Sequence, residues 1–163
     1  MAAVLAIRTA TPDDLAPLDA LFARSYPKLL KPDYPPSVLV TALPMISRAQ
    51  PALLASGTYF VAELAGEIVG AGGWTPARGG TGNIRHVVTD ARHVRQGIGR
   101  TLMLRVLQSA RQAGIHLLHC HSTRTAVPFY RALGFVELGP MAVELAPGIS
   151  FPAIRMLAEV TPG

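Results

Sequence analysis

Arg92-His-Val-Arg-Gln-Gly97-Ile-Gly99-Arg-Thr101 is the stretch on which the fold turns. It follows a β-rich run, Ile84 to Thr89, and precedes a helical pattern from Leu102 to Ala113. A strand that feeds a glycine turn and then a helix forms an anion cradle. Glycine lets backbone come close to a ligand, while the unpaired first-turn N–H groups and the positive end of the helix dipole face it. That geometry suits a pyrophosphate.

Two better-known phosphate motifs also set glycines between strand and helix, and neither fits. A Walker A loop ends in Gly-Lys-Ser/Thr, whereas Gly99 is followed by Arg100 and Thr101; the dinucleotide fingerprint needs a third glycine where Leu102 stands. Nucleoside triphosphate and NAD binding are therefore not expected.

Gly97-x-Gly99 resembles the pyrophosphate loop of the GNAT superfamily of N-acetyltransferases, whose pattern is Arg/Gln-x-x-Gly-x-Gly/Ala. A second block, Thr123-Arg-Thr-Ala126-Val-Pro-Phe129-Tyr130-Arg-Ala-Leu-Gly134-Phe135, resembles the family's Asn-x-x-Ala-x-x-x-Tyr-x-x-x-Gly-Phe signature. Upstream, Gly57 to Trp74 is similar to the family's strand-two to strand-three hairpin. The likeness is close over residues 57–135. Two positions depart from it: Val94 stands at the Arg/Gln position and Thr123 at the Asn position. Arg95 and Arg100 still supply positive charge beside the turn, and Thr123 keeps a hydroxyl with a shorter reach.

The resemblance implies acetyl-CoA as acetyl donor and direct transfer to the primary amine of a small molecule. A non-catalytic acyl-CoA sensor and an acetyltransferase acting on a protein amine stay open as alternatives. It also implies a cofactor site of Val87, Val88 and Thr89, whose backbone pairs with the pantetheine like an added strand, together with Arg95, Gln96, Gly97, Ile98, Gly99, Arg100, Thr101 and Thr123. Tyr130 matches the tyrosine near the cofactor sulfur, and a phenol can protonate a departing thiolate. No metal site is expected. The base stays open among His86, His119, His121 and a water chain, since neutral imidazole is available near pH 7. Cys120 lies mid-strand in apolar surroundings, where a buried inert thiol is the expectation.

At 163 residues the chain fits one domain, residues 1–163, too short for separate cofactor and substrate domains. Half of it is hydrophobic and 15% charged, which excludes disorder. No apolar run approaches the roughly 20 residues that cross a bilayer. The opening Met1-Ala-Ala-Val-Leu-Ala-Ile-Arg8 has no basic residue ahead of its apolar stretch, which argues against a signal peptide. The lone Cys120 agrees with a reducing cytoplasm. The net charge of +5 is mostly arginine. Arg92, Arg95, Arg100, Arg105 and Arg111 gather around the glycine turn and its helix, with no aromatic-basic interleaving, so nucleic acid is not an expected partner. Arg105 and Arg111 read as the solvated face of that helix. A homodimer is compatible with the apolar C-terminal hairpin.

Along the chain the pattern predicts a strand over Val4 to Arg8, then a helix opened by Thr11-Pro12-Asp13-Asp14 and running to about Arg24. A loop spans Ser25 to Pro36, and a second helix runs from Ser37 to about Ser47, with an extension to Ser56 left open. Strands follow over Thr58 to Leu64 and Glu67 to Trp74 around the hairpin signal Ala65-Gly66, then a loop over Thr75 to Gly82 and a strand over Asn83 to Thr89. Ile98, Leu102, Met103, Val106, Leu107 and Ala110 recur at helical spacing up to Gly114. A strand over Ile115 to His121, a helix over Thr125 to Leu133 and a hairpin of Met141 to Leu145 with Phe151 to Leu157 complete the order. This predicts an α+β fold with a central mixed sheet of six to seven strands and about four helices. The resemblance adds that the fourth and fifth strands splay apart to admit the pantetheine. Tyr26, Tyr34, Trp74 and Met141 are candidate linings of the acceptor pocket, and Asp33, Glu63 and Glu67 candidate partners of a cationic amine.

Overall fold

A computed structural model describes residues 4–161. The first three residues of the opening apolar run and the last two of the predicted domain lie outside that range. The elements in chain order are β1 (Leu5–Thr9), a 3-10 turn (Pro12–Asp14), α1 (Leu15–Leu30), α2 (Pro36–Ile46), α3 (Pro51–Leu54), β2 (Tyr59–Leu64), β3 (Glu67–Pro76) and β4 (Thr81–Thr89). They continue with α4 (Ile98–Gln112), β5 (Leu117–Ser122), α5 (Val127–Ala132), β6 (Val136–Ala146) and β7 (Ile149–Glu159). All seven strands form one mixed sheet in the order β1-β2-β3-β4-β5-β7-β6. Only β4 and β5 run parallel. The predicted α+β architecture is the observed one.

Period-2 alternation sends successive strand residues to opposite faces, and the two faces carry separate cores. Tyr59 and Val61 of β2 pack with Leu18, Leu21, Phe22 and Tyr26 of α1; Phe60, between them, joins Leu102, Met103 and Val106 of α4 on the other side. The β2–β3 turn is the predicted Ala65-Gly66, both residues at positive φ (52° and 79°), as a two-residue hairpin with the right-handed sheet twist demands.

Several boundaries differ from those read in sequence. Helix α1 continues to Leu30, because Ser25, Tyr26 and Leu30 extend its buried stripe. Pro27 only deletes one hydrogen bond near the helix end, and this burial outweighs it. The second helical stretch breaks after Ile46, and Pro51 opens the separate turn α3. The loop predicted over Thr75 to Gly82 shrinks, with β3 reaching Pro76 and β4 starting at Thr81. Strands β6 and β7 are much longer than predicted. Gly139, at φ 141°, sits in an irregularity between Glu137 and Gly139, and Pro140 is tolerated because β6 is the sheet edge.

Candidate active site

The site begins where two strands part. β4 and β5 are bonded only from Thr81 to Asn83 against Leu117 to His119; beyond that β4 runs on to Thr89 and β5 to Ser122 with no ladder between them. The cause lies in β4. Ala71 pairs with Val88 and Gly73 with Arg85, so His86 and Val87 together oppose the single Gly72. Such a bulge bends its strand and increases its twist. It puts His86 at φ 42°, which Tyr59 holds by donating its hydroxyl to the His86 carbonyl (2.6 Å) while Phe22 packs edge-on against the imidazole at 5.3 Å.

The gap opens into a cleft of about 1400 Å³. β4 forms one wall from Ile84 to Thr89, and Cys120 to Thr123 form the other. Phe129 and Tyr130 of α5 close one side; Leu29, Met45 and Ile46 of α1 and α2 and the β6–β7 hairpin close the opposite side. One small-molecule pocket typically occupies about 300–1,000 Å³, so this volume accommodates two adjacent ligands.

At one end of β4 the glycine turn is anchored by Asp90. Its buried carboxylate accepts from the Arg92 N–H (2.9 Å), Arg92 Nη2 (2.8 Å) and Arg24 Nε (3.0 Å). The Arg92 and Arg24 guanidiniums hold the Asp90 carboxyl well below the usual carboxylate range. Arg92 also bonds Glu67 (2.6 Å), so it is part of this anchor and not a free phosphate ligand. Arg95 (φ 65°) and Gly97 (φ 78°) both adopt the left-handed conformation, and Gly97 caps α4. The first hydrogen bond of α4 runs from the Thr101 N–H to the Gly97 carbonyl (3.0 Å), which leaves the N–H groups of Ile98, Gly99 and Arg100 without helical partners. A Cβ on Gly97 would meet only open space. An anion can therefore approach that backbone.

The other positions predicted for this loop divide by role. A Cβ on Gly99 would stand 3.0 Å from both Phe129 Cε1 and Thr89 Oγ1, so the missing side chain there lets α4 close on β4 and α5. Ile98 buries its side chain beside Ala62 and Val69 and offers only backbone outward. The Thr101 hydroxyl donates to the Gly97 carbonyl (2.9 Å). Arg95, Gln96 and Arg100 are exposed, and Val87, Val88, Thr89, Arg95 and Thr123 line the cleft. Thr123 Oγ1 accepts from the Ala126 N–H (3.2 Å), which fixes the turn into α5, and the buried Ser122 hydroxyl donates to the Thr123 carbonyl (2.7 Å). Arg105 is not on a solvated face: its guanidinium stacks over the Phe60 ring at 4.8 Å. Arg111 is exposed as predicted.

Tyr130 is buried in the cleft wall between Phe129 and Phe135, edge-on to both. Burial, together with the neighbouring Cys120 thiol, pushes its phenol well above the ordinary value. It therefore stays protonated near neutral pH. Burial pushes the Cys120 thiol up to about 12, so hardly any thiolate exists there, as predicted for an inert cysteine. Of the histidines, His86 and His121 line the cleft. Burial depresses His86 to about 4, so it is neutral at pH 7. Burial and the neighbouring Arg155, Arg85 and His119 hold His121 below its ordinary value.

The predicted acceptor residues are rearranged. Tyr26 lines the cleft. Tyr34 stacks on Phe151 (4.6 Å), donates to the Pro152 carbonyl (2.7 Å) and accepts from the Arg124 N–H (2.9 Å), tying the α1–α2 connection to β7 and the turn before α5. Trp74 belongs to the α4 core, with its indole N–H on Ser109 Oγ (3.0 Å). Met141 is not part of the lining. None of the three acids faces the cleft: Glu63 pairs with Arg8, Glu67 with Arg92, and Asp33 accepts from the Thr125 hydroxyl (2.7 Å). Two basic residues not singled out in sequence, Arg85 and Arg48, do line it. Which strand face a residue takes depends on register, so only the resemblance to a splayed strand pair could have drawn attention to Arg85.

Residues 32–156 match the family model of the acetyltransferase (GNAT) domain. The chain belongs to the GNAT acetyltransferase family. No curated protein matches the sequence. Among solved structures, a GCN5-related N-acetyltransferase from Rhodopseudomonas palustris is 23% identical over 98% of both chains, with a TM-score of 0.80. The PaiA N-acetyltransferase of Thermoplasma acidophilum, solved with coenzyme A, is 15% identical over 96% of this chain and 99% of its own, at 0.73. The ribosomal-protein-S18-alanine N-acetyltransferase of Escherichia coli is 16% identical over 97% and 95%, at 0.66. These likenesses establish a shared GNAT fold, and the family membership makes the chain an acetyltransferase.

Proposed function

We propose that this GNAT acetyltransferase is a single domain over residues 1–163 that takes acetyl-CoA as donor and acetylates the primary amine of a small molecule in the cytoplasm. The observation that carries this is the unladdered gap between β4 and β5, with free helix-terminal N–H groups at one end and a buried phenol in its wall. The pyrophosphate would meet the N–H groups of Ile98, Gly99 and Arg100, with Arg95, Gln96 and Arg100 beside it. The pantetheine would run along the edge of β4 that has no β5 partner, past Val87, Val88 and Thr89, by strand addition. Thr123 faces it from the opposite wall. Acetyl-CoA supplies a thioester acyl group, and Tyr130 holds a proton in the wall for the departing thiolate. Closure by Tyr34 and the β6–β7 hairpin favours a small acceptor over a protein terminus. The lone, buried Cys120 supports a reducing compartment. No helix among the described residues is long and apolar enough to cross a membrane.

The test is calorimetric titration of acetyl-CoA against wild type, Gly97→Asn and Gly97→Asp, followed by thiol release with an amine panel. Asn and Asp tolerate a left-handed φ comparably and differ in charge, so backbone strain cancels between them. Binding retained in the Asn variant and lost in the Asp variant supports the pyrophosphate site. Equal binding by both removes it. Binding without release of coenzyme A to any amine overturns transfer in favour of a sensor.

A further inference from the structure

On the face of the sheet that carries α1 and α2, Arg85 and Arg155 have no ion-pair partner among the described residues. Directly opposed residues of antiparallel strands share a face, and His121 of β5 opposes Arg155 of β7. Asn83 and His119 are the last bonded pair of β4 and β5. Alternation puts Arg85 and His121 on that same face one step further, where the strands part and both line the cleft. The closeness of Arg85, Arg155 and His119 to His121 also shows in its lowered pKa. None of the ion pairs among the described residues involves Arg48, Arg85 or Arg155. The Arg85 guanidinium makes one hydrogen bond, from Nε to the neutral Thr75 hydroxyl (2.9 Å). Among the described lining residues the one carboxylate is Glu144, on the hairpin. Around this basic centre the lining is apolar, from Leu29, Met45, Ile46, Val143, Leu145 and Phe151.

We propose that the acceptor is an amine that also carries a carboxylate and an apolar body, an apolar amino acid or a close analogue, with its carboxylate held by Arg85 beside His121 in the cleft wall, and with Arg155, behind His121 and outside the lining, adding positive charge. The Arg85 guanidinium, with only its Nε engaged, offers a carboxylate charge-assisted hydrogen bonds. A multiply cationic acceptor such as a polyamine or aminoglycoside would meet like charge at the same place. The apolar body lies against α2 and the β6–β7 hairpin. This rests on the amine-acetyltransferase function proposed above and narrows its substrate.

The experiment measures binding of the N-acetylated product by ligand-observed NMR, so that no turnover is needed. N-acetyl-L-leucine and N-acetyl-L-leucinamide, which differ in the carboxylate, are compared on wild type, Arg85→Gln and Arg155→Gln, with and without coenzyme A. The acid is expected to bind wild type about tenfold or more tightly than the amide, the worth of one charged hydrogen bond, and that ratio is expected to fall toward one in Arg85→Gln and by a smaller factor in Arg155→Gln. An amide that binds as well as the acid overturns the proposal, as does an acid preference that survives Arg85→Gln. Coenzyme A titrated on the same samples reports the donor site separately. Intact coenzyme A binding without acid preference refutes only the acceptor class, whereas acid preference without coenzyme A binding refutes only the transferase function.

Discussion

Tyr130 of α5 and Cys120 of β5 are buried neighbours in one core cluster, and both line the cleft that separates β4 from β5. Edge contacts with Phe129 and Phe135 hold the phenol ring at the gap, and burial keeps both the phenol and the thiol uncharged. That leaves the tyrosine as the group with a proton to give.

Tyr130→Phe removes that proton and little else, because the ring keeps its edge contacts with Phe129 and Phe135. Turnover is expected to drop about 100-fold, within the range for losing a general acid, with acetyl-CoA affinity changed less than a few fold. Cys120→Ala is expected to keep most activity, since a thiol with a pKa of about 12 is not a nucleophile at neutral pH. Steady-state kinetics and titration on both variants decide the matter. An unchanged turnover in Tyr130→Phe removes the acid assignment, and an inactive Cys120→Ala points to a covalent route instead.

Asp90→Asn leaves Arg24 and Arg92 without their shared carboxylate at the entry to the glycine turn. Both guanidiniums are partly exposed and can hydrate, so the expected loss is about 1–3 kcal/mol and not that of a fully buried pair. The carboxyl is depressed in the folded state, so its contribution is present above the unfolded value of about 4 and lost as pH falls below it. Denaturant unfolding at pH 7 and pH 3 is expected to separate wild type from variant more at pH 7, the loss at pH 3 being under way but incomplete because the folded value lies lower still. A gap of the same size at both values contradicts the assignment.

His86 gives a titration of the same sign in a higher pH window. Its folded value of about 4 lies below the unfolded value of about 6.5, so the unfolded chain binds the extra proton between them. Stability from this site is intact above pH 6.5 and declines as pH falls to about 4, by about 3 kcal/mol in total. His86→Asn tolerates the left-handed φ and removes the titration. The variant is expected to be less stable at pH 7, through the lost Phe22 contact, yet to show a shallower decline toward pH 4. Parallel declines in the two proteins locate the titration elsewhere.

The glycine turn, the β2–β3 hairpin and α4 were legible because each rests on local chemistry: Gly97 for a left-handed cap, Ala65-Gly66 for a tight turn, and Leu102 to Ala110 for a helical stripe. What escaped the sequence depends on register. The bulge at His86 and Val87 is set by Tyr59 and Phe22 from other elements, and without it nothing in Asn83-Ile-Arg-His86 tells which side chain meets the cleft. Arg155 was illegible for the same reason, since only the strand pairing brings it beside His121. The acids proposed for a cationic amine failed because ion pairs such as Arg8 with Glu63 span residues distant in sequence. Helix α1 was cut short by giving Pro27 more weight than the buried Tyr26 and Leu30 that carry it through.

Gly97 and Gly99 look equivalent in the motif and differ in space, which yields a prediction about both. A methyl on Gly97 enters open space but is forced to φ 78°, while one on Gly99 has ordinary helical backbone and only 3.0 Å to Phe129 and Thr89. Gly99→Ala is therefore expected to cost about 1–3 kcal/mol through overpacking. Because Phe129 and Thr89 both line the cleft, it is also expected to weaken acetyl-CoA binding several fold. Phe129→Leu in the same chain removes the ring edge that blocks the methyl, and is expected to recover part of the lost melting temperature. Gly97→Ala has backbone strain as its cost, so Phe129→Leu is not expected to rescue it. Thermal unfolding of the four variants separates the two causes: rescue of both glycine variants, or of neither, contradicts this division of roles.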